Sequence, residues 1–120
     1  MTAVRVLALV RDLFFRARLE AAAKAVSAEV GYASSLDRAR DQITETAPAL
    51  VIVDLGDGAF DPEAIAKQTR ELAAVQLVGF ASHVELRKLG AARQAGFDLV
   101  LSREEFTARL PELLGGSFRK

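Results

Sequence analysis

The most constraining feature of the sequence is the run Ala49–Asp54, in which five apolar residues precede a single carboxylate. The apolar residues do not alternate with polar ones, and such a run is typical of a strand that is buried on both faces of a parallel sheet. Gly56 and Gly58 follow closely and indicate a tight turn. We therefore expect Asp54 at the carboxyl edge of a sheet, where open α/β folds collect their ligands and their chemistry.

Five such strands alternate with segments whose apolar residues recur at helical spacing. The predicted strands are Val4–Val10, Ala28–Ala33, Ala49–Asp54, Val75–Phe80 and Phe97–Leu101. The connections between strands and helices are short, and no linker, repeat or low-complexity segment interrupts them. The pattern predicts one α/β domain over residues 1–120, a (βα)5 unit with a doubly wound, parallel, five-stranded sheet.

Capping residues and one proline set the predicted helix ends. Asp12 caps the first helix, and Ser82 and Ser102 each begin a capping box with the glutamate three residues later. Gly96 ends the fourth helix, and Pro111 should kink or split the last one near Leu110. Beyond that helix we expect a loose tail, in which one aromatic residue could still dock on the domain, namely Phe118.

Two adjacent aromatic residues in the first helix cannot share one core. Phe14 lies about 100° around the helix from Phe15, which belongs to the buried face. We therefore expect Phe14 either to pack at the edge of the domain or to face a partner.

Charge and composition exclude several classes of protein. Sixteen basic and sixteen acidic residues cancel, so nothing favours binding to nucleic acid or to a membrane surface. The chain has no cysteine, and His83 alone cannot build a histidine metal cluster. No glycine-rich turn follows the first strand, and no nucleophile has a base nearby in sequence, so we do not expect an enzyme. Met1–Val10 is too short to span a bilayer and lacks a cleavage site, so we expect a cytoplasmic protein.

Five βα units with an aspartate at the end of the third strand resemble the CheY-like receiver domain of two-component response regulators, which has a flavodoxin-like fold. The matching stretches are Ala49–Leu55, Gln76–His83 and Gly96–Arg103. The resemblance implies phosphorelay signal transduction, with Asp54 at the position that a histidine kinase phosphorylates. It also implies that two acidic residues after the first strand bind a magnesium ion. A serine or threonine after the fourth strand and a lysine after the fifth would contact the phosphoryl group.

Several of the implied site residues are replaced in this chain. Val10 and Arg11 stand where the acidic pair should be, and Asp12 is the acid next to them. Mg²⁺ needs several oxygen ligands, and a guanidinium at this edge would repel the ion. We expect no resident cofactor, and the candidate metal is magnesium at Asp12 and Asp54. Our hypothesis is that Arg11 pairs with Asp54 and takes the place of the metal.

The other two positions also differ from the family pattern. Either Ala81 or Ser82 occupies the serine or threonine position, and Arg103 replaces the lysine. The resemblance is therefore to an atypical receiver, or pseudo-receiver. Each candidate also has a simpler interpretation. Asp54 could cap the turn that follows it, Asp12 and Ser82 could cap helices, and Arg103 could be a surface charge.

We expect a stand-alone receiver-like signalling domain that acts by protein–protein interaction, with weak or absent magnesium-dependent phosphorylation at Asp54. A protein partner or a second copy would bind through the surface Glu85–Leu114, which the resemblance implies as the partner face. The alternatives are a flavodoxin-like domain that binds a small molecule and a structural subunit of a larger assembly. A deep apolar cavity near Phe14, Asp54 and Ser82 would favour the small molecule.

Overall fold

The computed structural model describes residues 4–115, and within them strands and helices alternate along the chain. The strands are β1 (Arg5–Leu9), β2 (Glu29–Tyr32), β3 (Leu50–Asp54), β4 (Gln76–Ala81) and β5 (Leu99–Ser102). The helices are α1 (Leu13–Ala25), α2 (Leu36–Thr46), α3 (Pro62–Leu72), α4 (Leu86–Ala95), α5 (Arg103–Ala108) and α6 (Leu110–Leu114). The predicted (βα)5 architecture is confirmed, with its fifth helix in two pieces.

All five strands belong to one parallel sheet in the order β2-β1-β3-β4-β5. The central strand β3 is buried along its whole length, which explains why its residues do not alternate in polarity. Leu50 and Ile52 pack with α1, α5 and α6 on one face, and Val51 and Val53 pack with α2, α3 and α4 on the other. The sheet is therefore doubly wound, as predicted, and Asp54 lies at the carboxyl edge of its middle strand.

Most helix ends are confirmed. The Asp12 carboxylate accepts hydrogen bonds from the first free N–H groups of α1, and Ser102 forms a complete capping box with Glu105. Gly96 ends α4 with a φ of 97°, a left-handed conformation that suits glycine. Pro111 lies in the first turn of α6, and the split near Leu110 follows because proline cannot continue α5.

The predicted capping box at Ser82 is wrong. Helix α4 begins at Leu86, and Glu85 precedes it without a capping hydrogen bond from its side chain. Residues 82–85 form a separate turn, in which the Glu85 N–H donates to the Ser82 carbonyl oxygen at 2.9 Å. The Glu85 carboxylate pairs with Lys88 at 3.4 Å and caps no helix N-terminus.

Three further expectations concern the start of β5, the tail and the possibility of a membrane-spanning helix. The β5 strand begins at Leu99 rather than at the predicted Phe97, because the Phe97 N–H still donates to the Ala92 carbonyl oxygen at the end of α4. The expected docking of Phe118 lies outside the described residues. Within residues 4–115, no helix combines the length and the apolar character needed to cross a membrane.

Candidate functional site

Asp54 is a nearly buried carboxylate at the carboxyl edge of the sheet. Only 7% of the residue is exposed. Its Oδ1 accepts a hydrogen bond from the Gly56 N–H at 3.1 Å and lies 3.9 Å from Nη2 of Arg103. Burial raises the pKa of Asp54 above its usual value, and the charge of Arg103 and the Gly56 N–H only partly oppose this effect. In the folded chain, burial therefore disfavours the ionised form of Asp54 more than Arg103 and the Gly56 N–H favour it.

Arg11 binds Asp57 rather than Asp54, so our hypothesis of an Arg11–Asp54 pair is wrong. The guanidinium makes two hydrogen bonds, from Nε to Oδ2 at 2.6 Å and from Nη2 to Oδ1 at 2.8 Å. A further hydrogen bond from the Ala59 N–H to Oδ1, at 2.9 Å, orients the Asp57 carboxylate within the turn so that it can accept the bonds from Arg11. The hydrogen bonds from Arg11 lower the pKa of Asp57, and the same bonds raise the pKa of Arg11.

Arg103 lies beside Asp54 and over two aromatic rings. Its guanidinium carbon is 5.3 Å from the ring centroid of Phe80 and 5.6 Å from that of Phe15. Those rings stack on each other at 4.9 Å, and Phe106 stacks on Phe80 at 4.4 Å. Cation–π attraction to this stack directs the side chain towards the sheet edge. Nη2 of Arg103 thus lies within ion-pair distance of Asp54, at 3.9 Å.

A third cation binds the same turn from helix α4. Nζ of Lys88, on α4, donates to the carbonyl oxygen of Gly56 at 3.1 Å and pairs with Glu85. The space around Gly56 is narrow, because a Cβ there would lie 3.1 Å from Oε2 of Glu85 and 3.3 Å from Oδ1 of Asp54. The turn after β3 is therefore held by groups from three other parts of the chain.

Sequence reasoning missed the roles of Asp57, Glu85 and Lys88. Asp57 stands between two glycines, a position typical of a solvated loop. Glu85 and Lys88 have the spacing of a helical ion pair, which was a signal for their mutual contact. Nothing in the spacing indicated that Lys88 reaches Gly56, because that contact depends on how α4 packs against the sheet edge.

Asp12 and Ser82 are engaged in local structure. Oδ1 of Asp12 accepts the N–H groups of Phe14 at 2.9 Å and Phe15 at 3.2 Å, so this carboxylate serves as a helix cap. The Ser82 hydroxyl accepts the Val84 N–H at 3.4 Å, and no hydrogen bond joins it to Asp54 although both residues are described. Ala81 closes β4, is fully buried and offers no polar group.

The residues at this edge do not fit magnesium. Within the described part of the chain, no cluster of three or more histidine, aspartate or glutamate side chains is arranged to hold a metal ion. Asp57 is bound to one guanidinium, Asp54 lies beside another, and Asp12 caps a helix. Mg²⁺ needs several oxygen ligands in octahedral geometry, and the arginine side chains supply positive charge instead.

A cleft of about 240 Å³ lies beside the turn that follows β3. Its lining includes Asp57, Phe60 and Lys88, but not Phe14, Asp54 or Ser82. The cleft combines apolar residues with four charged ones, and it is smaller than the cavities of about 300 Å³ and more in which proteins bind drug-sized ligands. It is not the deep apolar cavity that a small-molecule function would require.

Solved structures of receiver domains share this fold over almost the whole chain. The signal receiver domain of a response regulator from Bermanella marisrubri has a TM-score of 0.81 at 19% identity, covering 98% of this chain and 100% of its own. A response regulator from Hahella chejuensis has a TM-score of 0.83 at 16% identity, covering 97% and 96%. No family model and no curated protein matches the sequence.

A third similar structure carries a metal. The receiver domain of a sensor histidine kinase from Pseudomonas aeruginosa, described with a magnesium ion coordinated in its active-site cleft, has a TM-score of 0.79 at 14% identity, covering 94% of this chain and 95% of its own. At these identities the likeness establishes the fold. This chain has the fold of response regulator receiver domains, as the resemblance in the sequence implied.

Proposed function

We propose that this chain is a receiver-like signalling domain that acts by binding another protein. Asp54 occupies the phosphoacceptor position, and its magnesium-dependent phosphorylation is weak or absent. The fold supports the first statement, because receiver domains share it over nearly the whole chain. The side chains around Asp54 support the second.

The Arg11–Asp57 pair is the observation that carries the proposal. A guanidinium occupies the edge at which acidic residues would bind magnesium, and it holds a carboxylate of the neighbouring turn through two hydrogen bonds. A divalent cation would have to displace the Arg11 guanidinium, and the carboxylate oxygens that it needs as ligands already bind other groups. Arg103 adds a second positive charge next to Asp54. The site is therefore organised by arginine side chains in the role that a metal would otherwise fill.

Two exposed apolar residues support a protein partner at the surface Glu85–Leu114. Leu86 is 72% exposed at the start of this surface, and Val84 just before it is 70% exposed. The exposed side of α5 and α6 is polar and mostly acidic, with Glu104, Glu105 and Glu112 at the surface. We therefore place the apolar part of the contact at the start of α4 rather than on the last helices.

The proposal is tested by incubating the protein with magnesium and a small phosphodonor and then measuring its intact mass. We expect no stoichiometric phosphoryl adduct, in wild type or in Asp54→Ala. A stoichiometric adduct that disappears in Asp54→Ala would contradict the proposal, because it would show a competent phosphoacceptor.

A gain-of-function variant gives the matched control. Val10→Asp combined with Arg11→Asp places one carboxylate at the buried position 10 and a second next to Asp12, and it removes the guanidinium. We expect this variant, once its circular dichroism shows that it is folded, to bind magnesium and to accept more phosphoryl groups than wild type. A folded double variant that stays as unreactive as wild type would show that Arg11 is not what suppresses the chemistry.

Sedimentation analysis separates a second copy from a different partner at the Glu85–Leu114 surface. A dimer that Leu86→Glu dissociates would assign the surface to self-association. A strict monomer at high concentration would exclude self-association through this surface.

A further inference from the structure

The side chain of Arg16, in α1, reaches the turns that follow β1 and β2. Its Nε donates to the carbonyl oxygen of Val10 at 2.6 Å, and its Nη2 donates to the hydroxyl of Ser34 at 3.2 Å. The guanidinium carbon also lies 4.8 Å from the ring centroid of Tyr32, so the group is stacked as well as hydrogen-bonded. These three contacts give the guanidinium a defined position beside Ser34.

Arg16 is a half-buried cation that no carboxylate pairs with in the described part of the chain. Two acidic residues lie one helical turn from it, Asp12 before it and Glu20 after it. Asp12 caps α1, and the Glu20 carboxylate accepts the hydroxyl of Tyr32 at 2.9 Å. A guanidinium has five N–H groups, and two of them are used in the hydrogen bonds described above. The others are available to an anion at Ser34.

Ser34 differs from the serines that have a structural role. The hydroxyls of Ser35 and Ser102 cap α2 and α5, and that of Ser82 accepts a backbone N–H. Within residues 4–115, the hydroxyl that accepts a hydrogen bond from a guanidinium is that of Ser34. Ser34 is exposed, and β2, the strand before it, lies at the edge of the sheet and pairs with β1 alone. The hydroxyl is therefore open to a modifying enzyme and already has a cation beside it.

We propose that Ser34 is a phosphorylation site whose phosphate binds Arg16. A protein serine kinase would transfer the γ-phosphoryl group of a nucleoside triphosphate. A bond forms between Oγ of Ser34 and phosphorus, the bond from phosphorus to the bridging oxygen of the nucleoside diphosphate breaks, and the hydroxyl proton passes to the kinase. The phosphate would supply three acceptor oxygens to the guanidinium N–H groups of Arg16, and it would lie just before α2, where the helix dipole favours negative charge.

A phosphate on Ser34 would act on the turn that carries Arg11. Arg16 holds the carbonyl oxygen of Val10, the residue before Arg11, and Arg11 in turn binds Asp57. Fixing Arg16 through a phosphate would therefore fix the turn after β1 at the edge of the sheet. The chemistry is that of a hydroxyl and not of Asp54, so the proposal does not rest on the function proposed above.

Mass spectrometry of the protein purified from the cells that naturally make it tests the modification. Cleavage by trypsin after Lys24 and Arg38 releases residues 25–38, which include Ser34. Fragmentation of this peptide distinguishes a phosphate on Ser34 from one on Ser27 or Ser35. We expect the phosphate on Ser34, and we expect Ser34→Ala to remove it from the peptide.

Protein carrying phosphoserine at position 34 from synthesis tests the contact with Arg16. Phosphorus NMR across a pH titration measures the second pKa of the phosphate, which is about 6 without a partner. Because a neighbouring guanidinium favours the doubly charged form, we expect a pKa of about 5.5 or less in the folded protein. Arg16→Gln should return the pKa to about 6. Arg18→Gln is the control, because Arg18 is an exposed arginine of the same helix and should leave the pKa unchanged.

Two results would overturn the proposal. One is a native peptide that carries no phosphate or carries it on Ser27 or Ser35 instead. The other is a phosphate pKa that is the same with and without the Arg16 guanidinium. Circular dichroism first verifies that Arg16→Gln is folded, because Arg16 also holds a backbone carbonyl. If it is not, Arg16→Lys keeps the charge without the planar fork and should raise the pKa part of the way, and an unchanged pKa there would equally overturn the proposal.

Discussion

The guanidinium of Arg11 holds the carboxylate of Asp57 through hydrogen bonds of 2.6 and 2.8 Å, and so joins the turn after β1 to the turn after β3. These turns come from neighbouring strands and meet at the carboxyl edge of the sheet. Bidentate arginine–carboxylate pairs are geometrically specific, so this contact defines how the turns lie together. Asp54 is left with one hydrogen-bond donor, the Gly56 N–H, and with Arg103 at 3.9 Å.

Replacing Asp54 with asparagine should stabilise the fold. Asparagine keeps an acceptor for the Gly56 N–H and removes a nearly buried negative charge, so we expect the free energy of unfolding at neutral pH to rise by about 1 kcal/mol. Chemical denaturation measures the change, and Asp57→Asn is the control with the opposite sign, because it weakens the pair with Arg11. An Asp54→Asn protein that is less stable than wild type would show that Arg103 compensates the charge fully.

The pH dependence of this effect has a definite sign. The pKa of Asp54 in the folded state lies above its usual value of 3.8, so the folded protein binds the proton more tightly than the unfolded chain does. The free energy of unfolding that this residue contributes therefore falls as pH rises from 3.8 through the raised pKa. The advantage of Asp54→Asn over wild type should be largest above that interval and should shrink as the pH is lowered through it.

Replacing Arg11 with glutamine should raise the pKa of Asp57. The hydrogen bonds from Arg11 hold that pKa below its usual value of 3.8, so the stability they provide is present above 3.8 and is lost as pH falls through the lowered pKa. Carboxyl carbon shifts across an acid titration measure the pKa directly. Arg38→Gln is the control, because this exposed arginine forms no ion pair within residues 4–115. An unchanged pKa in Arg11→Gln would mean that the pair does not persist in solution.

The aromatic stack beneath Arg103 should contribute strongly to stability. Phe106 is fully buried and stacks on both Phe80 and Phe15, so Phe106→Ala should cost about 3–5 kcal/mol. The matched control is Phe14→Ala, because that ring is 90% exposed and its loss should change stability by no more than about 0.5 kcal/mol. Similar losses from the two substitutions would contradict the assigned core.

Two glycines should respond in opposite ways to alanine. A Cβ on Gly79, in β4, would lie 2.7 Å from Cδ1 of Leu55 and 3.0 Å from the ring of Phe97, so Gly79→Ala should destabilise the fold by about 1–3 kcal/mol. Gly90, in α4, has open space at that position, and Gly90→Ala should stabilise the protein by about 0.5–1 kcal/mol. Thermal unfolding measures both. A neutral Gly79→Ala would show that β4 and Phe97 are packed less closely than the structure has them.

Local rules predicted the fold from the sequence because each element agrees with its neighbours. The unalternating run that ends at Asp54, the cap at Asp12 and the stop at Gly96 each depend on residues close in the chain. The same kind of rule failed at Ser82, where the capping pattern is present but Glu85 pairs with Lys88 and the chain makes a turn before α4. The local pattern at Ser82 was therefore not sufficient to begin the helix there.

The candidate site was less predictable because it depends on which long side chain reaches which turn. The sequence predicted Arg11 and Arg103 at the same sheet edge as Asp54, and in the structure Arg11 binds Asp57 while Arg103 lies 3.9 Å from Asp54. It did not indicate that Arg11 would choose Asp57, since the direction of that carboxylate depends on its hydrogen bond to the Ala59 N–H. Spacing in the sequence does not indicate which carboxylate each arginine side chain reaches.

The most direct test of the account is a magnesium titration of the wild-type protein, followed through the backbone amide signals of residues 54–58. If arginine side chains organise the site in place of a metal, millimolar magnesium should cause no saturable shift in these signals, whereas Val10→Asp combined with Arg11→Asp should show one. A saturable shift in the wild-type protein that Asp54→Ala abolishes would contradict the account, because it would show that Asp54 binds the metal despite Arg11 and Arg103.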